Sequence, residues 1–201
     1  TCALPISSFA QISSALSRLG GRVADFHVGD GAALPFTDRS FDAVVSGLTL
    51  NFIGDPHRAL AEKARVARPG GLIAAYVWDF AANKSPSGPL RTAMREVGVE
   101  PPEIPGTKFS TRDGLVALFR QQDFIDIASS SIEVCVSFES FDAYWDTQSP
   151  AYSPTTPALM AMPPTARQDL TKRLRVMLRA DGASPIVYSA RANVVAARRP
   201  T

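Results

Sequence analysis

The chain has 201 residues, 45% hydrophobic and 20% charged, with a formal net charge of +2. That length suffices for one domain with a sizeable core, and the charge balance is too slight to recruit nucleic acid or an acidic membrane surface. No apolar run approaches a membrane span and no basic-then-apolar leader opens the sequence, so the expectation is a cytoplasmic protein with no membrane and no nucleic-acid partner.

Residues 1–8 show no helical or strand period and contain Pro5, so no regular element is expected there. Phe9, Ile12, Leu16 and Leu19 are spaced as one helix face, stopped by Gly20 and Gly21. A strand is predicted over residues 22–28, where Phe26 and Val28 flank His27, and Gly29 and Asp30 turn the chain at its end. The next strand, 41–46, is apolar at Phe41, Val44 and Val45, as expected of a strand covered on both faces. Asp55 and Pro56 suit a helix start. The helix carries Leu60, Ala64 and Ala67 on its apolar stripe, and Pro69, Gly70 and Gly71 should end it before a buried strand over 72–78. Glu62 and Arg65 share a face of that helix and read as a structural pair.

Pro86, Gly88, Pro89, Pro101, Pro102 and Pro105 punctuate the middle of the chain and leave room for a helix over 89–97. Ser110 to Asp113 resembles a capping box ahead of a helix through Leu115, Leu118 and Phe119. Residues 132–137 alternate apolar and polar, a strand with period two. Phe141, Tyr144 and Trp145 sit on a short predicted helix. Pro150, Pro154, Pro157, Pro163 and Pro164 then mark a loop, residues 165–180 a helix, and 186–196 a last strand. Cys2 and Cys135 have no metal or redox spacing, and no metal-ligand cluster or internal repeat is present.

Three phrases are specific by their order and spacing. They are Gly29-Asp30-Gly31-Ala32 with Leu34-Pro35-Phe36, then Asp38-Arg39-Ser40-Phe41-Asp42, then Glu62 and Arg65-Val66 with Pro69-Gly70-Gly71. Together they resemble class I S-adenosylmethionine-dependent methyltransferases, closely over residues 22–78 and loosely elsewhere. The resemblance implies an α/β fold, a three-layer Rossmann-like methyltransferase sheet with a C-terminal antiparallel strand. The strands at 22–28, 41–46 and 72–78 should be mutually parallel. The family's glycine-rich loop is absent, since no G-x-G-x-G occurs in the chain. The expectation is therefore a single partial domain over 1–201, N-terminally truncated and lacking the first two family strands, with a helical insertion at 138–185 as a substrate cover.

By the same resemblance, Asp30 accepts from the adenine amino group of S-adenosylmethionine, the amide of Gly31 or Ala32 meets a ring nitrogen, and Ser46, Gly47 and Leu48 lie beside the cofactor. For Asp30 the bland alternative is a turn carboxylate capping loop amides. Asn51, Trp78, Tyr144 and Trp145, with Phe80, are the substrate-side candidates, and core or helix packing accounts equally well for Trp78 and Trp145. Asp42 reads as structural, and His27 and His57 as packed or exposed histidines without a catalytic partner. The implied function is methyl transfer to a small molecule by the full-length parent, with this fragment inactive and binding the cofactor poorly. The acceptor atom, a catalytic residue and the oligomeric state have no sequence signal. A non-catalytic Rossmann-like interaction domain is the alternative, and a nicotinamide-dependent dehydrogenase fits less well.

Overall fold

The computed structural model describes residues 3–6, 17, 25–149, 155–180, 182 and 184–201. The predicted helix over 9–19 lies outside them but for residue 17, as do Cys2, Pro150, Pro154 and Asp181. The strands are β1 (Ala3–Ile6), β2 (Asp25–Val28), β3 (Phe41–Gly47), β4 (Ala67–Trp78), β5 (Ile125–Phe138) and β6 (Ile186–Arg198). The helices are α1 (Pro56–Val66), α2 (Gly88–Glu96), α3 (Arg112–Arg120), α4 (Phe141–Gln148), α5 (Thr155–Ala161) and α6 (Pro164–Met177). Four strands form one sheet in the order β3-β4-β6-β5, with β3 parallel to β4 and β6 antiparallel to both its neighbours. Strands β1 and β2 pair in parallel as a separate two-stranded sheet.

Four local expectations are corrected. Residues 3–6 form a strand despite Pro5, because a strand with one unpaired edge tolerates a missing donor there. Pro69, Gly70 and Gly71 do not follow the helix as a free turn; they bulge within β4. The register steps from Phe41 opposite Ala67 to Ala43 opposite Leu72, and Gly70 takes φ +73°. The cap of α3 is Thr111, whose hydroxyl accepts from the Gly114 amide, rather than Ser110. Ser110 instead donates to the Thr107 carbonyl and accepts from the Ala81 amide. Pro157 lies inside α5, in the first turn, where its missing donor costs nothing, and Ala158 to Ala161 then propagate the helix. Asp55 caps α1 as its sequence implies, accepting from the Arg58 amide, with Pro56 at the first helical position.

Helices α1 and α3 cover one face of the larger sheet. Leu60, Leu115, Leu118 and Phe119 pack there on Ile73, Ala75, Val77 and Val195. On the other face Val45, Leu72 and Tyr76 are exposed, so among the described residues β3 is covered on one face rather than both. A second core holds α2, α4, α5 and α6 together through Leu90, Met94, Tyr144, Leu159, Leu170 and Leu174. Its position follows from strand length. Trp78, the end of β4, lies opposite Ala192, and Ala192 lies opposite Ile132. Beyond that level β5 and β6 continue as a ribbon from Glu133↔Arg191 to Phe138↔Ile186. The ribbon thus ends about 20 Å past the carboxyl end of β4.

One residue of α1 opposes the packing. Lys63 lies on the buried stripe with Ala59, Leu60 and Val66, only 6% exposed. Burial holds its amine below the ordinary lysine value. The unfolded chain therefore binds this proton more tightly, and stability should rise with pH between the folded value and 10.5. Lys63→Met is expected to raise stability by about 1 kcal/mol and to flatten that rise, as read by urea unfolding at several pH values.

Candidate active site

The loop between β2 and β3 is held from α1. Arg65 makes five hydrogen bonds: two to Glu62, one to Asp38, and one each to the Leu34 and Phe36 carbonyls. Glu62 in turn accepts from the Leu34 amide at 2.8 Å. The Arg65 hydrogen bond is the main cause holding the Glu62 carboxyl below its ordinary value. The pairing of Glu62 and Arg65 is thus a clamp on the loop that starts at Asp30. Asp42 meets Arg68 in an exposed ion pair, and His27 and His57 pack edge-on against Phe36 and Phe109.

Asp30 lies two residues beyond β2 and is exposed, with Oδ1 accepting from the Ala32 amide at 2.8 Å. The Ala33 amide closes the same turn on the Asp30 carbonyl at 3.0 Å. The turn role considered for Asp30 is therefore present, and the Ala32 amide is already engaged. A Cβ at Gly31 would come within 2.6 Å of Ile53 Cδ1, so a side chain there would displace the tip of Ile53. This seats the Asp30 turn against the segment that follows β3.

That segment begins with Ser46, buried and hydrogen-bonded to Thr49 at 2.9 Å. Leu48 takes φ +57° and donates its amide to the Tyr76 carbonyl at 2.8 Å. A left-handed leucine is costly and persists only where the surroundings hold it. A single 3-10 turn, Leu50–Phe52, follows. Asn51 is 2% exposed; its Nδ2 donates to the Pro105 carbonyl at 3.5 Å, and its Oδ1 has no partner among the described residues. Gly106, at φ +64°, lies so close that a Cβ would reach 2.5 Å from the Asn51 carbonyl oxygen.

A cavity of about 210 Å³ opens at this carboxyl edge. Phe52, Trp78 and Phe80 form its aromatic wall, and Ser85, Arg91, Gln148 and Thr155 its polar side. Phe52 and Phe80 meet edge to face at 6.1 Å. Asp79, between two wall residues, is buried. Its Oδ2 accepts from Arg191 at 3.0 and 2.7 Å, and its Oδ1 from the Ala82 amide at 3.0 Å. Asn193 ties the same region together, donating to the Ser110 carbonyl and accepting from Ser131.

Trp78 and Phe80 therefore line the cavity, and Asn51 stands in the turn that supplies Phe52. Tyr144 and Trp145 lie elsewhere, in the second core. Tyr144 is fully buried, edge-on to Phe138 at 5.4 Å, and Trp145 stacks on Phe141 at 6.1 Å. Burial, with Tyr188 alongside, pushes the Tyr144 phenol well above its ordinary value, while the Leu90 backbone acts the other way. Sequence reasoning missed Asp79 and Arg91. For Arg91 the signal was a cation set within the apolar stripe of Leu90, Ala93 and Met94. Among the described residues no group of acidic, histidine or cysteine side chains could hold a metal ion, and no helix is long and apolar enough to cross a membrane.

Residues 7–75 match a family model described as a methyltransferase domain. A demethylmenaquinone methyltransferase of Renibacterium salmoninarum is 44% identical over 72 residues, 36% of this chain and 29% of that protein. One of Roseiflexus castenholzii is 48% identical over 59 residues, covering 29% of this chain and 25% of the relative. The chain thus matches under a third of the length of these curated relatives. Among solved structures, the YcgJ protein of Bacillus subtilis superposes with a TM-score of 0.58 at 16% identity, over 100% of this chain and 82% of that one. A phosphoethanolamine N-methyltransferase of Haemonchus contortus, solved with S-adenosylhomocysteine, gives 0.52 at 15% identity over 99% and 43%. The [4+2]-cyclase SpnF gives 0.54 at 19% identity over 99% and 66%. Residues 7–75 thus match a methyltransferase domain, and the chain shares its fold with solved structures that include a methyltransferase and a cyclase.

Proposed function

We propose that this chain supports methyl transfer from S-adenosylmethionine to a small molecule held in the cavity beside Trp78. The observation that carries the reading is the position of that cavity. It opens where β3 and β4 end, beside the turn that bears Asn51, at the strand edge where open α/β sheets bind ligands. The residues present suit the adenine half of the cofactor. Asp30 offers a carboxylate just beyond β2, and the 46–48 segment is held in a fixed, left-handed turn at Leu48. When bound, the cofactor supplies an activated methyl group on a sulfonium, which removes the need for a protein nucleophile.

What the chain's own residues do is position and exclude. Asp30 accepts from the adenine amino group, Gly31 keeps its turn closed on Ile53, and Ser46, Gly47 and Leu48 face the cofactor. Phe52, Trp78 and Phe80 keep water from the transfer path, and Asn51, in the turn that bears Phe52, stands on the substrate side. Gln148 and Thr155 line the cavity, which supports reading the segment 138–185 as a cover over the strand edge. Demethylmenaquinone names the relatives' substrate. The family match ends at residue 75, before all of the cavity wall but Phe52, so this chain's acceptor is set by its own residues.

The test is calorimetric titration with S-adenosylmethionine, and separately S-adenosylhomocysteine release against a panel of small acceptors. Binding by the 201-residue chain is expected to be weak, since it holds no glycine-rich loop for the methionine half. Asp30→Ala should weaken it by a further ~1–3 kcal/mol. An unchanged affinity would assign Asp30 to its turn alone. The absent loop also favours a second reading, a non-catalytic Rossmann-like interaction domain, which predicts neither cofactor binding nor release of product. Fold alone does not choose between them, because a cyclase shares it.

A further inference from the structure

We propose that the cavity beside Trp78 takes an aromatic small molecule bearing a negatively charged group, with Arg91 as the counter-ion for that group. The inference rests on reading this cavity as the acceptor site and adds the chemical class of the acceptor. Arg91 lines the cavity and is 8% exposed. Its Nη1 donates to the Pro102 carbonyl at 2.8 Å. No carboxylate stands within ion-pair distance of it among the described residues. Glu100, an acid whose charge acts on it, is drawn to Arg95 at 3.4 Å.

A buried guanidinium without an anion is expensive, because a neutral carbonyl recovers only part of the lost hydration. Burial and the neighbouring Arg95 both disfavour the charged form of Arg91. Arg167 and Arg199, also half-buried, likewise meet only backbone carbonyls among the described residues but line neither cavity, whereas two other half-buried arginines face acids. Arg65 faces Glu62 and Asp38, and Arg191 faces Asp79. A second cavity, of about 190 Å³, makes the contrast sharper. The arginine lining it, Arg175, lies 3.9 Å over the Phe141 ring and 3.7 Å from Asp142, so its charge is met from within the protein. Arg91 alone of these arginines lines a cavity whose lining holds no acid.

The rest of the cavity defines the remainder of the ligand. The aromatic wall of Phe52, Trp78 and Phe80 suits a flat ring. Ser85 and Gln148 offer further donors beside Arg91. A guanidinium fork binds a planar carboxylate through two parallel hydrogen bonds, which a lysine cannot reproduce.

The test is direct binding without methyl donor, so that failure of methyl transfer and failure of this inference are separate results. Calorimetric titrations compare 4-hydroxybenzoate with the uncharged 4-hydroxybenzamide. The carboxylate is expected to bind at least about tenfold more tightly, with the preference reduced at high salt. Arg91→Gln should abolish the preference, and Arg91→Lys should keep a part of it. The lysine variant guards against misfolding, as do circular dichroism spectra of both. Equal binding of the two probes, a preference that survives Arg91→Gln, or no saturable carboxylate binding up to about 10 mM would overturn the inference. Selective carboxylate binding with no S-adenosylhomocysteine release would uphold it while defeating the methyl-transfer reading.

Discussion

Asp79→Ala is expected to lower the stability of the chain by about 3–4 kcal/mol, the range for removing one partner of a buried ion pair. The Asp79 side chain is 6% exposed and that of Arg191 is 33% exposed. The carboxylate takes two hydrogen bonds from Arg191 and one from the Ala82 amide, so alanine would leave three donors short of an acceptor. Arg191 keeps only a long contact to Glu133, at 3.9 Å. The effect reaches the cavity, because Trp78 and Phe80 flank Asp79 and form the aromatic wall. Equilibrium urea unfolding measures the loss, and a double-mutant cycle with Arg191→Leu isolates the pair. A coupling near zero would mean that the Ala82 cap, rather than the ion pair, holds this corner. Asp79→Asn keeps the shape and should cost less.

Arg65→Ala is expected to cost about 2–4 kcal/mol and to loosen the loop that carries Asp30. Its side chain is 31% exposed, so solvent offsets part of the loss. Yet it serves the carbonyls of Leu34 and Phe36 together with two acids. The pH dependence gives an independent reading. Arg65 holds the Glu62 carboxyl below its ordinary value of 4.5. The stabilisation from Glu62 is therefore complete above that value and is lost as pH falls through the depressed folded value. Acid titration of stability should show this loss in the parent chain and a smaller one in Arg65→Ala. Amide hydrogen exchange at Ala32 and Leu34 should quicken in the variant. Unaltered exchange there would show that the loop does not depend on the clamp.

Much of this architecture was legible in the residues. Alternation and short apolar runs located β3, the later part of β4, the second half of β5 and β6, because a strand's two-residue period writes its faces directly into sequence. Asp55-Pro56 marked the start of α1 for a local reason, an N-cap whose partner is three residues away. The order of the Gly-Asp, Leu-Pro-Phe and Glu-x-x-Arg phrases pointed to the methyltransferase family. The structure supplies a physical link between two of them, since Arg65 and Glu62 bind the backbone of Leu34 and Phe36.

Other features depended on partners distant in the chain. Residues 3–6 became a strand through pairing with residues 25–28, which no local pattern announces. Pro69-Gly70-Gly71 reads locally as a stop, but pairing on both sides of it made a bulge within β4. Tyr144 and Trp145 have the composition of a pocket wall and were drawn into the second core by α2 and α6. The cavity's cation, Arg91, and the strut beside its wall, Asp79 with Arg191, were invisible for the same reason. A charge in sequence carries no record of whether its counter-charge lies 112 residues away or is missing. Local propensities and family motifs thus determined most elements, their order and the class of chemistry to expect, whereas burial and ion pairing, which arise only when remote segments meet, decided where the cavity lies and which charges face it.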